Sequence, residues 1–177
     1  GGGAGYTSMA FHPFVKAIYL ADFSAKMIER AKSEMSNFDK AIIYQDSLPD
    51  LVSTKQKKIK FSKVTVGSVI QYLKDYNEIA RSLDNLFYVL KPGGKVVLTH
   101  NPDLGKKNSF IKSYQKLSWP KNKIKNALDY ENNKRFWLSF DIILELSMKA
   151  GFSKCEKKLI PEELFQSTHM FDLLLIK

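Results

Sequence analysis

The sequence predicts one α/β domain built on a mainly parallel sheet, and three observations carry that prediction. Short apolar runs alternate with stretches of helical periodicity along most of the chain, the pattern of strands joined through crossover helices. The chain opens on Gly1-Gly2-Gly3-Ala4-Gly5, a glycine-rich turn in which backbone N–H groups can approach a ligand closely. The apolar run Ala17 to Ala21 then ends in Asp22, and an acidic residue at a strand tip is the natural acceptor for both hydroxyls of a ribose.

The elements follow in order. Tyr6 to Val15 reads as a short helix despite Pro13, and Ala17 to Ala21 as a buried strand. Ser24 is a helix cap, and Met27, Ile28, Ala31 and Met35 recur at helical spacing behind it, so Ala25 to Met35 is an amphipathic helix. Ala41 to Tyr44 is the next strand, stopping at Gln45-Asp46-Ser47. A polar connection carrying Lys55, Lys57, Lys58 and Lys60 leads into the strand Phe61 to Val66, which breaks at Gly67-Ser68. Ile79, Leu83, Leu86, Phe87 and Leu90 mark a helix. It ends in a Leu90-Lys91-Pro92-Gly93-Gly94 turn before the strand Lys95 to Thr99.

Residues 101–136 break the rhythm. They are polar, rich in lysine and interleaved with aromatic residues, and they leave the end of a strand where ligands bind in open α/β sheets, so they read as an insertion or lid. Ser139, a candidate cap, opens a helix carrying Phe140, Ile143, Leu144 and Met148 that stops at Gly151. Cys155 to Ile160 and Phe171 to Ile176 close the chain as two strands in an antiparallel edge.

Composition narrows the function classes. With 177 residues, 44% hydrophobic and 26% charged, the whole of 1–177 is the size of one domain. The absence of an apolar run long enough to span a bilayer, and of a secretory leader, predicts a cytoplasmic protein with no membrane partner. One cysteine, Cys155, excludes an intrachain disulfide, and the scattered His12, His100 and His169 do not predict a metal site. A net charge of +10 suits anionic partners without naming one.

Glycine spacing selects the cofactor. The dinucleotide fingerprint G-x-G-x-x-G fails from Gly1, where Tyr6 takes the last position, and from Gly3, where Ser8 does. G-x-G-x-G at Gly1, Gly3 and Gly5 fits, and it resembles motif I of the class I S-adenosylmethionine-dependent methyltransferases. The Leu-Lys-Pro-Gly-Gly turn and the Ala150-Gly151-Phe152 step before the next strand strengthen that resemblance, which covers the chain from Gly1 onward. It implies a doubly wound, Rossmann-like sheet with strand order 3-2-1-4-5-7-6 and an antiparallel last strand. The family's first strand, which feeds the glycine loop, has no counterpart before Gly1, so the sequence reads as truncated at its N-terminus. A sheet lacking that strand should show two unpaired inner edges. Ser62, at the start of the strand Phe61 to Val66, also departs from the aspartate that many relatives carry at the start of the family's fourth strand.

The resemblance further implies S-adenosylmethionine as cofactor. It puts Gly1, Gly3 and Gly5 beside the methionine part, Asp22 on the ribose, Phe23 and Met27 near the adenine, and Asp46, with Ser47 beside it, at the adenine edge. His100, ending a strand on the ligand face, is the candidate general base; Gln71 and Tyr72 share that substrate rim. The acceptor expected is a small molecule, anionic or sugar-like, methylated on oxygen or nitrogen. Two alternatives stay open: an RNA or other nucleic-acid acceptor, and a catalytically degenerate methyltransferase fold acting as a binding subunit.

Overall fold

A computed structural model describes residues 1–177, apart from the side chain of Gln115. A short helix α1 (Tyr6–Phe11) runs into a 3-10 turn at His12–Phe14, where Pro13 ends regular helix. Strand β1 (Ile18–Asp22), helix α2 (Ala25–Glu34) and strand β2 (Ala41–Gln45) follow. The strands pair in parallel, from Ile18 opposite Ala41 to Asp22 opposite Gln45. Ser24 caps α2 by accepting from the Met27 N–H, and the helix lays Ile28, Ala31 and Met35 on Ile18 and Leu20.

The connection read from sequence as polar loop folds instead as a short helix, α3 (Val52–Gln56). What holds it is Asp46, whose Oδ2 accepts from both the Thr54 N–H (2.7 Å) and the Thr54 hydroxyl (2.6 Å), a contact eight residues away that no local pattern announces. Beyond it come β3 (Phe61–Gly67), α4 (Tyr76–Val89) and β4 (Leu90–Pro102). Asp75 caps α4 through the Asn77 and Glu78 amides. The helix buries Ile79, Leu83, Leu86 and Val89.

β4 is longer than expected: the strand begins at Leu90, opposite Phe61, and passes through the Pro-Gly-Gly turn, where Gly93 takes the left-handed φ of 69° that favours glycine. Residues 101–136, read as irregular, hold two helices, α5 (Lys107–Ser113) and α6 (Lys121–Asp129), and a single π-helical turn at Tyr130–Lys134. Then α7 (Phe140–Lys149), β5 (Lys154–Lys158) and β6 (Met170–Ile176) complete the fold. Ser139 sits at the cap of α7, but its side chain makes no capping bond; its backbone N–H donates to the Tyr76 hydroxyl at 3.0 Å.

The strands form two sheets, β1-β2 and β3-β4-β6-β5, with β6 antiparallel to both of its neighbours. Among the described residues β1 pairs with β2 alone, and β3 with β4 alone, so each keeps one free edge. A cavity of about 490 Å³ lies between these edges, lined by Ile18, Leu20, Val64 and Val66 among others, with the Tyr19 and Phe61 rings 5.3 Å apart. The apolar interior is correspondingly in two clusters, a small one under β1-β2 and a large one under the four-stranded sheet. No helix among the described residues is long and apolar enough to cross a membrane.

Candidate functional site

The glycine loop is tied to the end of β1 by a side chain and by backbone. Gly2 N–H donates to the Ala21 carbonyl (2.8 Å), and Gly3 N–H to Asp22 Oδ2 (2.9 Å). Asp22 Oδ1 accepts from the Ser24 N–H (2.9 Å), so one carboxylate, 5% exposed, fixes both the loop and the entry to α2. Gly3 has φ 53° and open space where a Cβ would stand, whereas a Cβ on Gly2 would lie 2.5 Å from Leu20 Cγ. Gly5, at φ 92°, backs onto Met35, whose sulfur would sit 2.4 Å from an added Cβ. A side chain at Gly2 or Gly5 would therefore collide with the core, and Gly3 leaves its approach open.

The next strand end carries Asp46. Its carboxylate is engaged by Thr54 and by the Ser47 N–H (2.9 Å), and Asp46 and Ser47 line the inter-sheet cavity together with Gly1 and Gly2. Phe23 is 74% exposed and Met27 38% exposed, so neither is part of the core.

The third group stands at the exits of β3 and β4. Gly1 abuts the β3 exit: a Cβ there would lie 2.4 Å from Val69 Cγ2. His100 is half-buried, with Nδ1 3.4 Å from Ser68 Oγ. Gln71 is buried, and its carbonyl accepts from the Phe136 N–H (3.2 Å), which pins the end of the 101–136 segment to this rim. Tyr72, by contrast, is 66% exposed.

A profile described as "Methyltransferase domain" matches residues 1–96, which include the glycine loop and all of β1 to β3. The chain belongs to that family. The methyltransferase shares its fold with solved structures of low identity. Magnesium protoporphyrin IX methyltransferase from Synechocystis PCC 6803, with bound SAH, superposes with a TM-score of 0.69 at 12% identity, covering 100% of this chain and 71% of that one. A SAM-dependent methyltransferase from Methanosarcina mazei gives 0.67 at 16% identity, covering 99% and 88%. The methyltransferase domain of a bacterial Hen1 gives 0.67 at 20%, covering 100% and 86%. Other matched structures are longer, the chain spanning about half of them. No curated protein sequence matches it. Two of the matched structures, the magnesium protoporphyrin IX methyltransferase and PigF, hold SAH. The donor set fits that group in this chain: an open, positive-φ glycine beside a buried carboxylate that is held by two amides.

Sequence reading missed the polar core of the segment 101–136. Glu131 is buried against the partly buried Arg135, Oε1 to Nη1 at 3.3 Å, with Tyr114 hydroxyl donating to Glu131 at 3.3 Å and Trp137 Nε1 donating to its backbone carbonyl at 2.9 Å. Burial pushes the Glu131 carboxyl up, against the opposing pull of Arg135. Next to them His169 is 2% exposed, stacked on Phe110 with centroids 3.8 Å apart. Burial, then the charges of Arg135 and Lys106, drive its pKa down to about 4. A glutamate and an arginine four apart were visible, but helical spacing does not distinguish a surface pair from a buried one.

His169 makes acid sensitivity predictable. Its folded pKa lies below the ordinary value of 6.5, so the unfolded chain binds the proton more readily, and the stability it contributes is lost as pH falls from 6.5 toward 4. In urea denaturation series across that window, His169→Phe, which keeps a ring against Phe110, should show a shallower loss than the parent. Equal slopes would refute the assignment.

Proposed function

We propose that the chain transfers the methyl group to a small-molecule acceptor bearing an anionic or sugar-like group, beneath the segment 101–136. The carrying observation is the seating of that segment: the Phe136 N–H donates to the Gln71 carbonyl and the Tyr76 and Phe136 rings stand 5.0 Å apart, which pins the end of the segment to the rim beyond β3. A segment held there is placed to cover an acceptor and exclude water.

In this reading Gly1, Gly3 and Gly5 stand beside the methionine part of the cofactor and Asp22 takes the ribose hydroxyls. Phe23 and Met27 stand near the adenine, with Asp46 and Ser47 at its edge. The cofactor supplies an already activated methyl carbon. The residues of the chain have the remaining tasks: Gln71 and Tyr72 orient the acceptor, and His100 takes the proton that it gives up. Half-buried Cys155, its thiol pushed up by burial, takes no part and suits a reducing, cytoplasmic setting.

Lysines in the lid are the next expectation. Lys106 is committed to the Ser167 carbonyl (2.8 Å), so the better probes are Lys123, over the Trp119 ring, and Lys125. Replacing both by alanine should raise the acceptor KM several-fold and leave cofactor affinity unchanged. The same change at Lys57 and Lys58, in the connection that enters β3 at its N-terminal end, should alter neither. Equal behaviour of the two pairs would remove the lid from acceptor recognition.

A nucleic-acid acceptor is the second reading, favoured by the net charge of +10. Radiolabelled methyl transfer from S-adenosylmethionine, offered against a panel of small hydroxylated acids and against total RNA, separates the two. Label in the small-molecule fraction supports the first; label in RNA, with binding that falls steeply with salt, overturns it.

A further inference from the structure

Two residues other than glycine hold left-handed backbone conformations at neighbouring strand exits, Ser68 at φ 55° after β3 and His100 at φ 58° within β4. Each such residue costs on the order of 1–3 kcal/mol and persists only where its surroundings over-determine it. The surroundings here are specific. The β4–β6 register breaks between Leu98 and Asn101, a bulge, and bulges re-aim the side chains they carry. Asn101, 2% exposed, closes the break by donating from Nδ2 to the Leu98 carbonyl (2.8 Å) and the Phe171 carbonyl (3.0 Å). The His100 N–H is held by Asp172 Oδ1 at 2.7 Å. Across from it, the Ser68 N–H donates to the Thr99 carbonyl (3.0 Å), which leaves the Ser68 hydroxyl 3.4 Å from His100 Nδ1. The bulge therefore delivers the imidazole to one partner, on the exit that Gly1 abuts.

An imidazole can take a proton only at the ring nitrogen that does not already carry one. We propose that Ser68 is a positioning residue for His100: its hydroxyl oxygen accepts the Nδ1–H hydrogen, which fixes the neutral ring in that tautomer and leaves Nε2 as the proton acceptor. The proposal rests on the reading of His100 as general base. The acceptor's proton passes to Nε2, the ring becomes an imidazolium with both nitrogens protonated, and release of the Nε2 proton to solvent restores the starting state. Distance agrees with a contact that tightens when acceptor is present, since catalytic hydrogen bonds are often long in the free enzyme.

The test reads the tautomer directly and needs no acceptor. Protein labelled with 15N-histidine is examined by two-bond 1H–15N correlation at a pH where His100 is neutral, its signals assigned by their loss in His100→Gln. The expected result is the Nδ1–H form in the parent and a return to the Nε2–H form, the usual preference of a free imidazole, in Ser68→Gly. Glycine removes the hydroxyl while relieving the left-handed strain, so that variant folds. An Nε2–H ring in the parent, or no change in Ser68→Gly, overturns the proposal. Undiminished methyl transfer by His100→Gln would instead overturn the base reading alone, so the two fail separately.

Discussion

Replacement of Asp22 by alanine is expected to weaken S-adenosylmethionine binding by roughly a hundredfold or more. A charged acceptor contributes about 1.5–3 kcal/mol per hydrogen bond, and two ribose hydroxyls are assigned to this carboxylate. The structure adds a second reason: without Asp22 the Gly3 and Ser24 amides lose their acceptor, so the loop that faces the ligand loses its anchor to β1. Asp22→Asn keeps one acceptor oxygen and should fall between. Calorimetric titration with S-adenosylhomocysteine, on variants whose circular dichroism matches the parent, measures the effect. An unchanged dissociation constant for a folded Asp22→Ala protein would take the ribose away from this residue.

The Glu131–Arg135 pair should give the largest stability change. Arg135→Met removes the nearest counter-charge of the Glu131 carboxylate, 2% exposed, leaving it to the Tyr114 hydroxyl and the charge of Lys107, and breaking one side of a buried pair costs about 3–5 kcal/mol. Changing Glu131 to methionine as well removes the stranded charge, and the double variant should recover most of the loss. Sign fixes the pH dependence. The folded pKa of Glu131 is raised by burial, so the penalty for its charge is present at neutral pH and relieved as pH falls through that raised value. Urea denaturation followed through Trp137, whose indole N–H binds the Glu131 carbonyl, reports the change. A double variant no more stable than Arg135→Met would show that the pair is held by something other than its charges.

Much of the fold was legible because its signals are local. Ser24 with Met27, Ile28 and Ala31 announces α2, and Gly93 announces the turn before the main body of β4, because caps, helical periodicity and positive-φ glycines act within a few residues. The misses share a different cause. α3 depends on Asp46 reaching Thr54, the segment 101–136 depends on burying Glu131 against Arg135, and the His100 bulge depends on Asp172, which lies 72 residues away. Composition shows the residues but not the encounter. Residues 101–136 looked irregular because their charged and aromatic residues interleave; folded, they sort into an aromatic cluster around Phe110 and a lysine-rich exterior. Of the candidate site, spacing and strand position singled out Asp22 and the glycines, and the fold joins them through the Gly3 N–H on Asp22 Oδ2. Ser68 carried no signal, since a serine after a strand is ordinary in every respect but its backbone angle.

The free edges of β1 and β3 bear on how the chain comes apart. Cooperative unfolding needs a continuous interior, and here two apolar clusters are separated by the inter-sheet cavity. The pair β1-β2 with α2, held by a small cluster of five buried residues, is therefore expected to open on its own, while β4 and β6 sit inside the larger cluster. Native-state hydrogen exchange should register this as two plateaus, with the Leu20 and Tyr44 amides exchanging through a low-energy partial opening and the Leu98 and Leu173 amides only through global unfolding. Asp22 and Asp46 both belong to the side that opens first. Ligand bound across their strand ends would close that gap in protection, so part of the cofactor's binding free energy would appear as slowed exchange at residues it never touches.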